Sequence, residues 1–402
     1  MNRAIDQYLQ RHAEPEAQQF SASNHPALSN KQRYQHVLII PAFAESAYFL
    51  SNVLSRCGNP ALLTIVVVNA PDDETIEIEK IRSTRKLLAG LEHSEHTPIV
   101  VIDRASPGKR LPPKQGVGLA RKIGSDIALR LYRDGYVTSP WLCQTDADAR
   151  LPKDYFSALS SHRGTVVFSH QHVSGDAMLQ FAAKLYDAHM QYYVQALACQ
   201  GSPYAYPTLG STIAVQANSY ARARGFPKRS AGEDFHFLNK LNKLAAVTWV
   251  HQPTIEVQAR RSTRVPFGTG PALEKIVTLL RDDPSGHSYL SYDHRCFELL
   301  GKALIFLQQC GQSPEFVAIA TSNDRDHARI VRILLHLGLP KVLNDKFYQQ
   351  PNPEQRQHLL TNWFDGLKTL RFIHRAREFY PDVSLHQTLS KLPTSLRKQI
   401  TF

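Results

Sequence analysis

Short runs of consecutive apolar residues alternate along the chain with longer stretches in which apolar side chains recur every three or four positions. The first run, Val37 to Ile40, is stopped by Pro41 and reads as a buried strand. A helical stretch over about residues 45–57 follows, with Phe49, Leu50, Val53 and Leu54 along one side. Residues 62–69, LLTIVVVN, are β-branched and too uniformly apolar for a sheet with one wet face. Helix-like sequence covers 73–91, a strand 98–102, and a further helix 116–132 after a loop rich in Pro, Gly and Lys. The next strand runs into WLCQTDADARLP, residues 141–152. Beyond it, 165–169 predicts a strand. Phe181, Leu185, Ala188, Tyr192 and Ala196 mark the buried stripe of a long helix. A glycine loop and strand over 208–215, a helix from Ser230 to about residue 244, a strand near 247–250 and an Arg-rich loop at 259–264 complete this part.

From about residue 271 only helical spacing is left. Phe297, Leu300, Leu304 and Leu307 form one stripe, and Ile330, Leu334 and Leu337 a second that Gly338 and Pro340 stop. Trp363, Leu367 and Leu370 give a third. The expected organisation is a polar N-terminal segment (1–35), an α/β domain (36–270) and a helical C-terminal subdomain (271–402). Strands that alternate with helices of ten or more residues predict a mostly parallel, Rossmann-like sheet flanked by helices. Ligands of such sheets sit at the carboxyl ends of the strands.

Composition narrows the classes. Of 402 residues, 43% are hydrophobic and 20% charged, which is enough apolar material for a substantial core. The five cysteines have no metal spacing and an odd count, which suits a reducing compartment. The N-terminus lacks the apolar stretch of a signal peptide, and no apolar run is long enough to span a bilayer, so the expected location is cytoplasmic. A formal charge of +12 favours anionic partners: nucleic acid, an anionic membrane face or phosphorylated compounds. The basic residues are dispersed and no nucleic-acid-binding motif is visible, so nucleic acid is not expected as a partner.

The sharpest chemical signal is Asp146-Ala147-Asp148, where an apolar strand ends. Two carboxylates one residue apart at a strand mouth can share a hard cation through oxygen ligands, and that cation could neutralise a phosphate leaving group. The plainer reading is a solvated acidic turn. Residues 41–45 and 69–73 lie at the ends of other strands, so three distant stretches are expected to meet at one edge.

Taken in order, VLIIPAFAE, IVVVNAPDD, GVGLARKIGSD, QTDADARLP, GED and QARRSTRVPFGTG resemble the motifs of family 2 glycosyltransferases, which have the GT-A fold. The resemblance spans residues 37–270. It implies an inverting transfer of a sugar from a nucleoside-diphosphate sugar, with a UDP-sugar as first expectation, to a hydroxyl of a glycan, lipid or small molecule. It implies that Asp146 and Asp148 hold Mn²⁺ or Mg²⁺ against the diphosphate, that Asp234 is the general base, and that Pro41, Ala42, Glu45, Asn69, Gly118, Arg121, Asp146, Arg260 and Arg261 line the donor site. Ala44, Asn69 and Lys122 depart from the family pattern, which expects Asn, Asp and Asn there. Glycines at a helix start also suit phosphate approach. Glu233, three residues after Ser230, reads as the acid of a capping box.

Other classes fit less well. A nucleotidyltransferase needs a glycine-rich first loop, and residues 41–45 contain no glycine. A non-catalytic nucleotide-sugar-binding protein of the same fold is the alternative that the departures at Asn69 and Lys122 leave open. The positive surface further suggests peripheral contact with an anionic inner membrane face.

Overall fold

One eight-stranded sheet organises the first of two units. Its strands are β1 (His36–Ala42), β2 (Leu62–Asn69), β3 (Ile99–Arg104), β4 (Trp141–Gln144), β5 (Ala149–Arg150), β6 (Thr165–Val173), β7 (Ile213–Gln216) and β8 (Thr248–Gln258), in the order β3-β2-β1-β4-β7-β6-β8-β5. The computed structural model describes residues 2–28, 32–46, 48–57, 61–73, 77–92, 98–261, 268–312, 325–343, 352–397 and 400. The pairings β1–β2, β2–β3, β1–β4 and β6–β8 are parallel, whereas β4–β7, β6–β7 and β5–β8 are antiparallel. The sheet is therefore mixed. Strands β1, β2, β3, β4, β6 and β8 point one way, with β5 and β7 against them. All eight residues of β2 are buried, as its unbroken apolar run requires. In register, Ile39 lies opposite Ile65 of β2 and Gln144 of β4, which sets β1 between the two.

The helices of this unit are α1 (Arg3–Arg11), α2 (Pro15–Gln19), α3 (Phe49–Leu54), α4 (Ile78–Glu92), α5 (Gly116–Arg133), α6 (Tyr155–Ala158), α8 (Ala217–Arg222) and α9 (Glu233–Asn242). Between α6 and α8 lies α7 (Ala177–Cys199), which belongs to the second unit. Helices α3 and α4 are shorter than the apolar spacing suggests. The residues after β1 form a turn in which Ala44 takes a positive φ of 57° and donates its N–H to Thr84 of α4. Helix α5 lies on β1 and β2 so closely that a Cβ on Gly124 would come 2.5 Å from Ile39 Cγ2.

Helix α5 also buries four polar residues in a row of turns: Arg121, Lys122, Ser125 and Asp126. Asp126 is fully enclosed and satisfied. Tyr8 and Tyr220 hydroxyls donate to its Oδ1 at 2.6 and 2.7 Å, while Lys122 Nζ and the Glu14 N–H donate to Oδ2, each at 2.8 Å. Lys122 also donates to the His12 carbonyl at 2.7 Å. This network fastens α1 and α2 to α5, and the first 35 residues belong to the same unit as the sheet. Lys122, which departs from the family pattern, is its anchor.

The second unit comprises residues 175–205 and 269–402. With α7 it contains α10 (Thr269–Asp282), α11 (His294–Gln312), α12 (Arg325–His336), α13 (Leu339–Val342), α14 (Pro353–Trp363), α15 (Gly366–Ala376), α16 (Leu385–Leu389) and α17 (Thr394–Arg397). Two-residue strands β9 (Leu290–Ser291) and β10 (Val383–Ser384) pair antiparallel. Phe297, Leu300 and Leu307 of α11 are buried as their spacing predicts. The stripe through Trp363, Leu367 and Leu370 is broken instead. Asp365 starts a new helix by accepting the Lys368 N–H, and Thr369, Phe372, Ile373 and Ala376 form the buried face of α15. Among the described residues no helix is long and apolar enough to cross a membrane.

Candidate functional site

The six strands that run one way deliver their carboxyl ends to a single edge. Pro41 and Ala42 end β1, Asn69 ends β2, and Thr145 follows β4 with its N–H donated to the Ile39 carbonyl at 3.0 Å. That bond places Asp146 just past the sheet. Asp148 lies before β5 and accepts the Gln258 N–H at its carbonyl, 2.9 Å away, so β8 ends beside the same turn and brings Arg260 to it. Strand β7 runs the other way, and the segment before it, Gly210 to Thr212, therefore reaches the same edge.

Arg121 is the hub. Its side chain is only 2% exposed, yet it is an ion. Nη2 contacts Asp146 Oδ1 at 2.6 Å, Nε contacts Glu233 Oε1 at 3.1 Å, and Nη1 reaches the Thr145 carbonyl at 3.4 Å. Burial alone would lower the affinity of Arg121 for its proton; Asp146 and Glu233 outweigh it and raise the guanidinium above its ordinary range. Such an enclosed ion persists because both partners are charged and well placed. Gly210 makes room for it, since a Cβ there would lie 2.2 Å from Nη2.

Arg260 supplies the second cation. Nη1 contacts Glu45 at 3.0 Å and Nε lies 3.8 Å from Asp148 Oδ2. Among the described residues, five carboxylates (Glu45, Asp146, Asp148, Glu233 and Asp234) thus gather around two guanidiniums, and burial followed by neighbouring negative charge displaces the titration of Asp148 and Asp234. Burial, then the Asp146 charge, push Asp148 up to about 6 against the pull of Arg260. Burial and Glu233 push Asp234 up to about 7, although the Phe235 N–H and Arg121 favour its ionised form. Carboxylate oxygens in excess over cations are a donor set suited to a hard divalent ion, and Asp146 and Asp148 are the pair on one turn that could hold it.

The other expected residues are placed as follows. Asn69 is buried, and its amide donates to the Ala42 and Val67 carbonyls at 3.2 and 3.1 Å, which ties the ends of β1 and β2 together. Gly118 lets α5 approach residues 227–229. A Cβ there would sit 2.4 Å from the Pro227 carbonyl oxygen, and its N–H bonds the Arg229 carbonyl at 2.9 Å. Gly116 likewise faces Ser230 rather than open space. Arg261 is exposed, one residue beyond Arg260. The rest of the expected Arg-rich loop, 262–267, lies outside the described residues.

The capping-box reading of Ser230 and Glu233 is corrected. Helix α9 starts at Glu233 after Gly232, which has a positive φ of 67° and no side-chain cap. Glu233 turns inward to Arg121, 112 residues away in sequence. Sequence spacing missed this partner because a Ser and a Glu three apart imitate a cap. Gly210 was missed too; its only trace in the sequence is the glycine loop before β7.

No protein-family model matches the chain, and no curated protein matches it. Among solved structures, the chain is similar to the mannosyltransferase PcManGT from Pyrobaculum calidifontis in complex with GDP-Man and Mn²⁺, with 16% sequence identity over 91% of this chain and 94% of that one and a TM-score of 0.37.

Proposed function

We propose that the chain is a glycosyltransferase of the GT-A type, inverting and dependent on a divalent metal, that moves a sugar from a nucleoside-diphosphate sugar to an acceptor hydroxyl. The observation that carries this reading is the convergence of Asp146, Asp148, Asp234, Arg121 and Arg260 at the carboxyl edge of the sheet. Asp146 and Asp148 would hold Mn²⁺ or Mg²⁺. Such an ion, when bound, offsets the charge of a departing diphosphate.

The chain's own residues divide the remaining work. Arg260, half-exposed and shared between two acids, presents a guanidinium fork to the diphosphate. Arg121 holds Asp146 in place from below. Asp234, with an affinity for protons near neutrality, accepts the proton of the acceptor hydroxyl as its oxygen attacks the anomeric carbon. Attack from the face opposite the leaving nucleoside diphosphate inverts that carbon. Pro41, Ala42 and Asn69 are buried at the ends of β1 and β2 and would support the nucleoside side of the site from beneath. A UDP-sugar is the first donor to test, and a glycan, lipid or small molecule the acceptor class. Peripheral contact with an anionic membrane face on the cytoplasmic side belongs to the same reading, from the charge of +12.

The test is nucleoside-diphosphate release from a panel of sugar nucleotides with Mn²⁺ and a mixed acceptor pool. Wild-type protein should release it from one donor, and Asp146→Ala and Asp234→Asn should not. If donor binds but neither wild type nor Asp234→Asn releases nucleoside diphosphate, the chain is a nucleotide-sugar-binding protein without transfer activity; release by both alike would remove Asp234 as the base.

A further inference from the structure

A second charged feature lies on α4 and shares no residue with the Asp146–Asp148 cluster. Ile78, Ile81, Arg82 and Arg85 recur at the spacing of one helix face, with Lys86 beside them. The opposite face is the packed one: Thr84, Leu87, Leu88 and Leu91 are buried. The outward face is separated from Arg110 by a groove of about 760 Å³. The far wall is fixed, because residues 70–72 and 111 pair through the Asp72 N–H to the Leu111 carbonyl and the Leu111 N–H to the Ala70 carbonyl.

The charges of this groove are unbalanced. Arg82 has a partner in Glu79 at 2.8 Å. Arg85, Lys86 and Arg110 have no ion pair among the described residues, and Arg110 Nε is shielded from solvent with no acceptor. Among the described residues that line the groove, Asp73 is the one acid. Among the described residues, four cations face one acid over one concave surface, and one donor has no acceptor, which calls for an anion to complete it. Guanidiniums in particular match phosphate oxygens in pairs. Ile78, 76% exposed at the mouth, adds an apolar contact next to the charges.

We propose that the groove between α4 and Arg110 binds a phosphomonoester or diphosphate group, held by Arg85, Lys86 and Arg110. The group can belong to a soluble phosphate compound or to a lipid headgroup. The site does not depend on the transfer reaction proposed above.

Two probes separate the sources: inorganic pyrophosphate followed by calorimetry with chelator present, and phosphatidylcholine vesicles with or without phosphatidic acid. Both are run at low ionic strength with the full chain, with Arg85→Glu/Lys86→Glu, with Arg110→Ala and with Asp146→Ala. Pyrophosphate binding weakened by about tenfold or more in the charge-reversed protein, and unchanged in Asp146→Ala, is the expected result. The same pattern with phosphatidic-acid vesicles alone would identify a lipid phosphate. Absence of binding of either probe to wild type, or binding that the groove substitutions leave intact, would overturn the proposal. The chelator and the Asp146→Ala control keep a failure here apart from a failure of the metal and donor site.

Discussion

Removing the Arg121 side chain tests whether the edge cluster is held by one enclosed ion. In Arg121→Met, Glu233 loses its only ion-pair partner among the described residues while remaining 6% exposed, and Asp146 loses a 2.6 Å contact. Breaking a buried pair from one side costs about 3–5 kcal/mol, because an uncompensated charge stays behind. The Asp146 share is small, since that side chain is 31% exposed and water replaces part of the contact. Glu233→Gln should cost less, about 1.5–3 kcal/mol, because Arg121 keeps Asp146. In the double variant no buried charge is orphaned, so its cost should fall short of the sum by about 1–3 kcal/mol. Urea unfolding followed by tryptophan fluorescence reads this, in a Trp363→Phe background that leaves only Trp141 and Trp249 of the sheet unit as reporters. Costs of Arg121→Met within about 0.5 kcal/mol of zero, as for an ordinary surface change, or strict additivity, would show that the edge cluster is not held by this enclosed ion.

Four further outcomes follow from the geometry of the edge cluster and of the α5 network. Gly210→Ala drives a Cβ into the Arg121 guanidinium and should cost about 1–3 kcal/mol, with transfer activity reduced while circular dichroism stays native. Asp234 must be ionised to accept a proton, so kcat/KM should rise with pH by about tenfold per unit between about 6, below which Asp148 also gains its proton, and about 7, and then level, with no such rise in Asp234→Asn. The stability contribution has the opposite sense: a carboxyl raised in the folded state stabilises at low pH, and that contribution declines between about pH 4 and 7, so an unfolding series in Asp234→Asn should lose this slope. Tyr8→Phe removes a donor from Asp126 and an acceptor from Lys122, and should lower the urea midpoint by the equivalent of about 1–3 kcal/mol.

Features set by neighbours in the sequence were readable in advance, and features set by distant contacts were not. Strands β1 and β2 declare themselves because burial on both faces demands apolar residues at every position. Asp146 and Asp148 stand out because a pair of acids interrupts such a run, and the strand-helix alternation puts them at the edge that residues 41–45 and 69–73 also reach. The strand in β7 was legible, but the reversed direction of β7 and β5 has no local signature: a four-residue and a two-residue strand take their direction from their partners. Glu233 and Arg121 could not be paired from spacing, and Ser230 supplied a false local partner. Gly116 and Gly118 invite a phosphate reading, since glycine permits any close approach; here the approaching group is the backbone of residues 227–230. Lys122 reads as a departure from a family pattern until Tyr8, Glu14 and Asp126 are seen around it.

Metal-dependent donor binding at Asp146 and Asp148 is measured by thermal unfolding of the full chain with UDP, GDP, CDP, dTDP and ADP and their sugars, each with Mn²⁺, with Mg²⁺ and with chelator. At about a hundred times its dissociation constant a ligand adds ~2.7 kcal/mol of stability. One nucleotide should stabilise wild type with metal, fail with chelator, and fail in Asp146→Ala. Absence of any metal-dependent shift across the whole panel, or an equal shift in Asp146→Ala, would contradict a metal-held donor at Asp146 and Asp148.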